Sequence, residues 1–338
     1  MSKSKTVFIG NNKSFWDRNR RSEGYLLKRQ MKKTAGSVIR ALLLIGLCFM
    51  IIQPMLMRFS VGFMVEKDLY DTTIVLVPRE VTLENYQHVF NMTDFPNSML
   101  NTLWISLLVS VLQVISCTIV AYGFARYEFP LKKLWFACVI MLIVVPPTTI
   151  QTSLYMNFAN FDIFGLVRLF NGGKPINLRT SILPYLLMSI TCMGLKNGLY
   201  IFMLRQYFAG VPKSLEEAAY IDGCGTVHTF TKIMLPDAMP TIASCFLFGF
   251  VWQWTDLFYS RNFLQAKYSV YSIQLSSITS RMGRYFSADA SKAVVVPVGR
   301  QQQLISIGVL ICCIPLIILY CFTQKTFVKS LTMTGSKE

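Results

Sequence analysis

Several apolar runs in this 338-residue chain are long enough to cross a hydrocarbon core about 30 Å thick, which takes about 20 residues of helix. A helix keeps the backbone N–H and C=O groups of such a run bonded where lipid offers no partner. With 53% hydrophobic and only 15% charged residues, the chain reads as a polytopic membrane protein folded as one bundle. The spacing predicts six spans, at about 41–57, 99–125, 134–157, 182–208, 241–259 and 304–323. The third is interrupted by Pro146-Pro147. The expected fold class is therefore all-α, six transmembrane helices with one further helix between the fourth and fifth spans.

Charge sets the expected orientation. Residues 1–40 hold eleven Lys or Arg against two acids, Asp17 and Glu23, ahead of the first span. That excess predicts a cytoplasmic N-terminus, and six spans return the C-terminus to the same side. The expected organisation is a basic tail over 1–40, a membrane domain over 41–330 and a short cytoplasmic tail over 331–338. Arg126, Lys132 and Lys133 flank an inner loop, and the outer segment 58–97 carries three basic and six acidic residues. Residues 261–302 break the pattern, with six basic residues and one acid on the outer side. The formal net charge of +16 does not point to nucleic acid, because the charge clusters beside apolar spans and no nucleic-acid motif accompanies it. Attraction to anionic headgroups of the bilayer suits part of it. The first apolar run starts some forty residues in and no small-residue cleavage site follows, so it reads as a retained anchor.

Between the fourth and fifth spans lies a compact polar insert, residues 212–236. Ser214 with Glu217 three residues later reads as a capping box at a helix start. Gly223 stands where a left-handed C-cap would close that helix after about two turns. Thr226 to Leu235 begins a second helix, and Pro236 marks a boundary before the next span.

Glu217-Ala218-Ala219, three residues, Gly223, nine residues, then Ile233-Met234-Leu235-Pro236 resembles the signature of binding-protein-dependent ABC importer permeases. Further likenesses to the maltose-type permease family are Thr82-Leu83-Glu84-Asn85-Tyr86, Arg205-Gln206-Tyr207-Phe208, Trp254-Thr255-Asp256, and Phe327-Val328-Lys329-Ser330-Leu331-Thr332, which has Ser330 where the family has Gly. Two departures stand out: about nine extra residues around Met188 to Asn197, including Lys196, and the long basic segment 261–302.

The resemblance implies a carbohydrate importer, with an oligosaccharide cargo handed over by an extracytoplasmic solute-binding protein. It implies a cytoplasmic ATPase dimer, a second homologous permease, and a bacterial cytoplasmic membrane. The segment 212–236 would be the coupling helix that enters a groove on the ATPase, through Ser214, Glu216, Glu217, Ala218, Ala219, Asp222, Gly223, Leu235 and Pro236. A carboxylate near a helix N-terminus is favoured by the macrodipole, and Glu217 is the expected contact. Small side chains at Ala218 and Ala219 allow close approach.

Polar residues within spans are expensive and face a cavity or a partner. Gln151, Tyr155 and Asn157, after the proline break, and Asn197, Trp252, Trp254 and Asp256 are the candidate pathway residues. An aromatic face and a carboxylate suit a sugar; equally, such residues serve as helix–helix bonds or interface aromatics. No phosphate-cradling Gly-x-x-x-x-Gly-Lys-[Ser/Thr] occurs, so ATP and Mg are expected on the partner ATPase and no cofactor on this chain. The nine cysteines form no C-x-x-C, and His88 and His228 are the only histidines, which leaves little for a metal or catalytic centre. Other readings are an ABC importer for an anionic sugar, a peptide or a polyamine, a secondary transporter or channel, and a membrane enzyme. The last lacks any base–nucleophile constellation.

Overall fold

The computed structural model describes residues 25–335, apart from 75, 164, 195, 265, 266 and 288–293. The chain divides into two compact units, one ending at Ser60 and the other starting at Val61. Every named element among the described residues is a helix, beside two isolated β-bridges.

The first unit contains most of helix α1, Tyr25–Phe63. The predicted span 41–57 is its central part, and the helix starts sixteen residues earlier, inside the expected tail. The reason is local: Leu26 to Lys33 are good helix formers with neither Gly nor Pro among them. Its apolar side chains from Leu42 to Ile52 are largely exposed, as a lipid-facing helix requires. The basic residues before Tyr25 lie outside the described residues.

The second unit is built around α3, Asn97–Arg126. It packs against α6 (Leu183–Ile190), α7 (Asn197–Gly210) and α10 (Met239–Trp254). Small hydroxyl residues on α3 make this approach close: Thr102, Ser110 and Thr118 are buried and each donates to the carbonyl four residues back. Two apolar clusters flank α3, one around Tyr122, Leu204 and Phe208, the other around Val109, Tyr185 and Phe263. A third joins α2 (Glu84–Met92) to α13 (Val298–Gly335).

Four expected spans differ in detail. The third is two helices, α4 (Lys132–Val144) and α5 (Gln151–Ala159), with a 101° bend at the proline pair. Pro146 and Pro147 cannot donate to the preceding turn, and Val145 is forced extended. The fourth is not continuous: between α6 and α7, within the stretch of surplus residues, 191–194 and Lys196 are non-helical, with Cys192 and Lys196 both at positive φ. The fifth stops at Trp254, and the chain turns at Asp256 into a wide turn at Ser260–Leu264. The sixth is the middle of α13, which runs on to Gly335; residues 336–338 lie outside the described residues. Among the described residues, three helices are long and apolar enough to cross a membrane, or up to five if each bent pair is one crossing.

The sequence motif at 82–86 has a clear role. Asn85 donates to the carbonyls of Gly62 and Met64, and Tyr86 packs on Phe63 at 5.1 Å between ring centres. Gln303 donates to Val61 and Met64, and Arg300 bridges Asn85 and Gln303. The basic segment 261–302 is likewise engaged within the fold. Besides Arg300, Arg281 donates to the Met92 carbonyl and Arg261 to Ser276. These three guanidiniums are held by carbonyl, amide and hydroxyl oxygens of the fold.

Candidate functional site

The insert folds as α8, Lys213–Ile221, followed by α9, Thr226–Asp237. The expected capping box is absent. Pro212 is the N-cap, without a side-chain cap bond, so helix begins one residue before Ser214. Pro212 has no N–H to satisfy and its ring fixes an entry φ of −57°. The C-terminal expectation holds in detail. Gly223 sits at φ +80°, its N–H reaches the Tyr220 carbonyl at 3.0 Å, and Cys224 N–H reaches Ala219 at 2.9 Å. That pair of bonds is the Schellman closure. A wide turn over Phe230–Met234 lies within α9, and α10 departs from α9 at 73°, just after Pro236.

The two adjacent glutamates of α8 part company. Glu217 is exposed, with Ser214, Ala218, Asp222, Gly223 and Pro236, while Glu216 and Ala219 are buried and Leu235 is half-buried. Glu216 faces the last turn of α3. It accepts a hydrogen bond from Tyr122 Oη at 2.9 Å, and Arg126 Nε stands 3.3 Å from the same oxygen, Oε1. That Nε contact is an ion pair without a hydrogen bond. Arg126 Nη2 also donates to the Val211 carbonyl at 2.9 Å, tying α3 to the residue just before α8. The ends of α7 and α9 are joined by Tyr207, whose hydroxyl donates to Asp237. One side of α8 is thus fastened by charge and hydrogen bonds. Leu215, Tyr220 and Ile221 are exposed on it, and Val227 on α9 is exposed as well.

Sequence reasoning treated Arg126 only as a positive flank and did not single out Tyr122. The available signal was a lone arginine in the last turn of an apolar helix, a place where it serves free carbonyls or a nearby acid.

The candidate pathway residues are not gathered into one site. Gln151 donates to Asn262, Tyr155 is capped by Arg179, and Asn157 is exposed. Trp254 does not line open space: it is 1% exposed, packs on Phe250 and donates to the Cys312 carbonyl at 3.1 Å. Its size and indole N–H serve the α10–α13 contact. Asp256 is buried as the organiser of the following turn. It accepts from Tyr185 Oη at 2.7 Å, from Ser260 N at 2.9 Å and Oγ at 3.1 Å, and from Phe258 N at 3.1 Å. Trp252 remains partly exposed with Lys196 Nζ 4.3 Å from its ring centre. Asn197 is buried beside it with neither side-chain polar atom bonded.

No group of three or more potential metal ligands occurs among the described residues. The chain is similar along most of its length to transport permeases. It is 33% identical to the osmoprotective compounds uptake permease of Synechocystis sp. over 67% of this chain and 72% of that protein. It is 25% identical to the arabinooligosaccharides transport system permease of Halalkalibacterium halodurans, over 91% of this chain and all of the relative. Its fold matches a bacterial ABC transporter involved in the import of the acidic polysaccharide alginate, with a TM-score of 0.62 at 18% identity, covering 88% of this chain and 98% of that one. Residues 114–332, which hold α7 to α10 and the fastened insert, match the family model of the binding-protein-dependent transport system inner membrane component, and it is to that family that the chain belongs.

Proposed function

We propose that this chain is a permease subunit of an ATP-driven importer of carbohydrate, with an oligosaccharide as cargo. A solute-binding protein outside the membrane delivers the cargo, and a second, homologous permease completes the path. The bundle makes six crossings with both termini in the cytoplasm, residues 41–330 forming the membrane domain between the tails 1–40 and 331–338. This chain does no covalent chemistry, and ATP with Mg is held by a separate cytoplasmic ATPase dimer.

The observation that carries the reading is the division of labour on α8. Glu216 is fastened to Tyr122 and Arg126, while Glu217, Leu215 and Tyr220 are free to meet another protein. A two-turn helix fixed in this way acts as a coupling helix. When the ATPase closes, movement of α8 is passed to the end of α3 without slack, and the bundle alternates between outward and inward access. Each state must bind its partners differently, since equal affinity shifts nothing. Of the pathway candidates, Trp252 and Asn197 stay with the path, while Trp254 and Asp256 hold the walls that frame it.

A tagged chain captured from mild detergent tests this. Wild type should bring down an ATPase and a second permease, and Glu217→Lys should lose the ATPase while keeping the permease. Retention of the ATPase by that variant removes Glu217 from the interface; capture of no ATPase by wild type overturns the importer.

A further inference from the structure

Under the six-crossing reading proposed above, Lys196 is a cation within the fourth span that the fold does not neutralise. It stands at the start of α7, whose 14 residues put it about 21 Å from the loop carrying α8. No carboxylate lies within ion-pair distance of it among the described residues; its ammonium rests on the Trp252 ring. Asp256, one turn beyond Trp252, is committed to Tyr185, Ser260 and Phe258. An ionisable side chain left in this state within a span marks a place where something charged passes or binds.

Three further features lie around it. Lys196 lines a cavity of about 600 Å³ with Gly194, Met193, Pro146 and Pro147, inside the α4–α5 bend. Lys196 sits at φ +62°, a left-handed backbone conformation that costs a non-glycine residue strain. Behind Gly194 lies Asn197, 1% exposed, with Nδ2 and Oδ1 both unpartnered, and Tyr200 Oη, one turn along α7, is also buried and unbonded. The start of α7 adds the positive end of its dipole. Ammonium, helix N-terminus and unused amide N–H all favour one ligand charge.

We propose that Lys196, with Asn197 behind it and Trp252 beside it, is a subsite for the carboxylate of an acidic sugar, so that the cargo includes uronic-acid oligosaccharides. This rests on the importer reading above and narrows it. The carboxylate would draw the ammonium off the Trp252 face and leave that face for a sugar ring.

The test uses the whole importer, with ATPase, partner permease and binding protein, in vesicles. The probes are a trimeric oligouronate and the same trimer with its carboxyls reduced, run beside a neutral maltotriose. Wild type should take up the oligouronate faster than its reduced form. Lys196→Met should lower oligouronate uptake by about tenfold, the scale of one charge-assisted hydrogen bond, and leave the reduced trimer unchanged, while Lys196→Arg keeps most of the rate. Equal loss for charged and neutral trimers in Lys196→Met overturns the subsite, making Lys196 a structural residue or the partner of a carboxylate on the second permease. So does a wild type that imports neutral oligosaccharides but not the oligouronate, and in that case the importer reading stands. Absence of ATP-dependent uptake of any of these sugars overturns both.

Discussion

Glu216 and Asp256 are both buried carboxylates at helix junctions, and they are held in opposite ways. Asp256 is satisfied almost within its own turn, by Ser260 and Phe258 with Tyr185 as the one distant donor. Glu216 has no such local support; both its partners come from α3, ninety and more residues away in sequence. A carboxylate saturated locally fixes the shape of one turn. One whose partners lie across a gap fixes the relation between two elements, and only the second can transmit a displacement.

Breaking the distant pair should have the largest effect. Arg126→Met leaves Glu216 buried without its cation and should cost about 3–5 kcal/mol, because removing one member of a buried pair strands the other. Removing both, as Arg126→Met with Glu216→Leu, should recover much of the melting temperature of the purified complex but not ATP-driven transport. If transport recovers too, the pair is only structural.

The local carboxylate comes next. Asp256→Asn puts an amide where Tyr185 Oη, Ser260 N and Oγ, and Phe258 N all donate, and should cost about 2 kcal/mol, the range for hydrogen bonds to a charged acceptor. Thermal unfolding reads the loss, and the ATPase should still co-purify. Loss of the ATPase with Asp256→Asn would erase the distinction between the two carboxylates.

A smaller effect isolates the turn that follows α8. A Cβ on Gly223 would meet nothing within 4 Å, so Gly223→Ala carries only the strain of φ +80°, about 1–2 kcal/mol. Its transport defect should be far milder than that of the broken pair, as measured by uptake rate at equal expression.

The smallest prediction concerns pH. Burial, and then the Arg300 guanidinium, hold the His88 imidazole below its ordinary value of 6.5. The unfolded segment therefore binds the proton more readily, and the packing of α2 against Tyr285 and Phe286 weakens as pH falls below about 6.5. Hydrogen exchange over 84–92 should quicken between pH 7.5 and 5.5, and His88→Phe should flatten that response.

How much of this was legible in the sequence follows from the range of the forces. The end of α8 was readable because a left-handed glycine cap is set by neighbouring residues alone. Its start was misjudged because Ser214 and Glu217 offered a local pattern, while Pro212 and the pull of Arg126 on Glu216 decided the register. Long apolar α3 announced itself. The break at 191–196 showed only as surplus length, since its turn depends on Gly194 fitting against Gln113 and Asn197 from two helices. Trp254 and Asp256 sat in a motif that named them without saying which way they face. Their burial shows that both face the interior of the fold.

The sharp bend at Pro146-Pro147 has a bearing on the lipid itself. The arm before it has 13 residues and reaches about 20 Å, against a hydrocarbon thickness of about 30 Å. The other arm leaves at 101°, so it adds almost nothing along the same axis. Under the six-crossing reading, the apolar arm on this flank is short of the bilayer by roughly 10 Å. Lipid there must thin or give way to a neighbouring subunit, which makes this face sensitive to acyl-chain length where the straight helices are not.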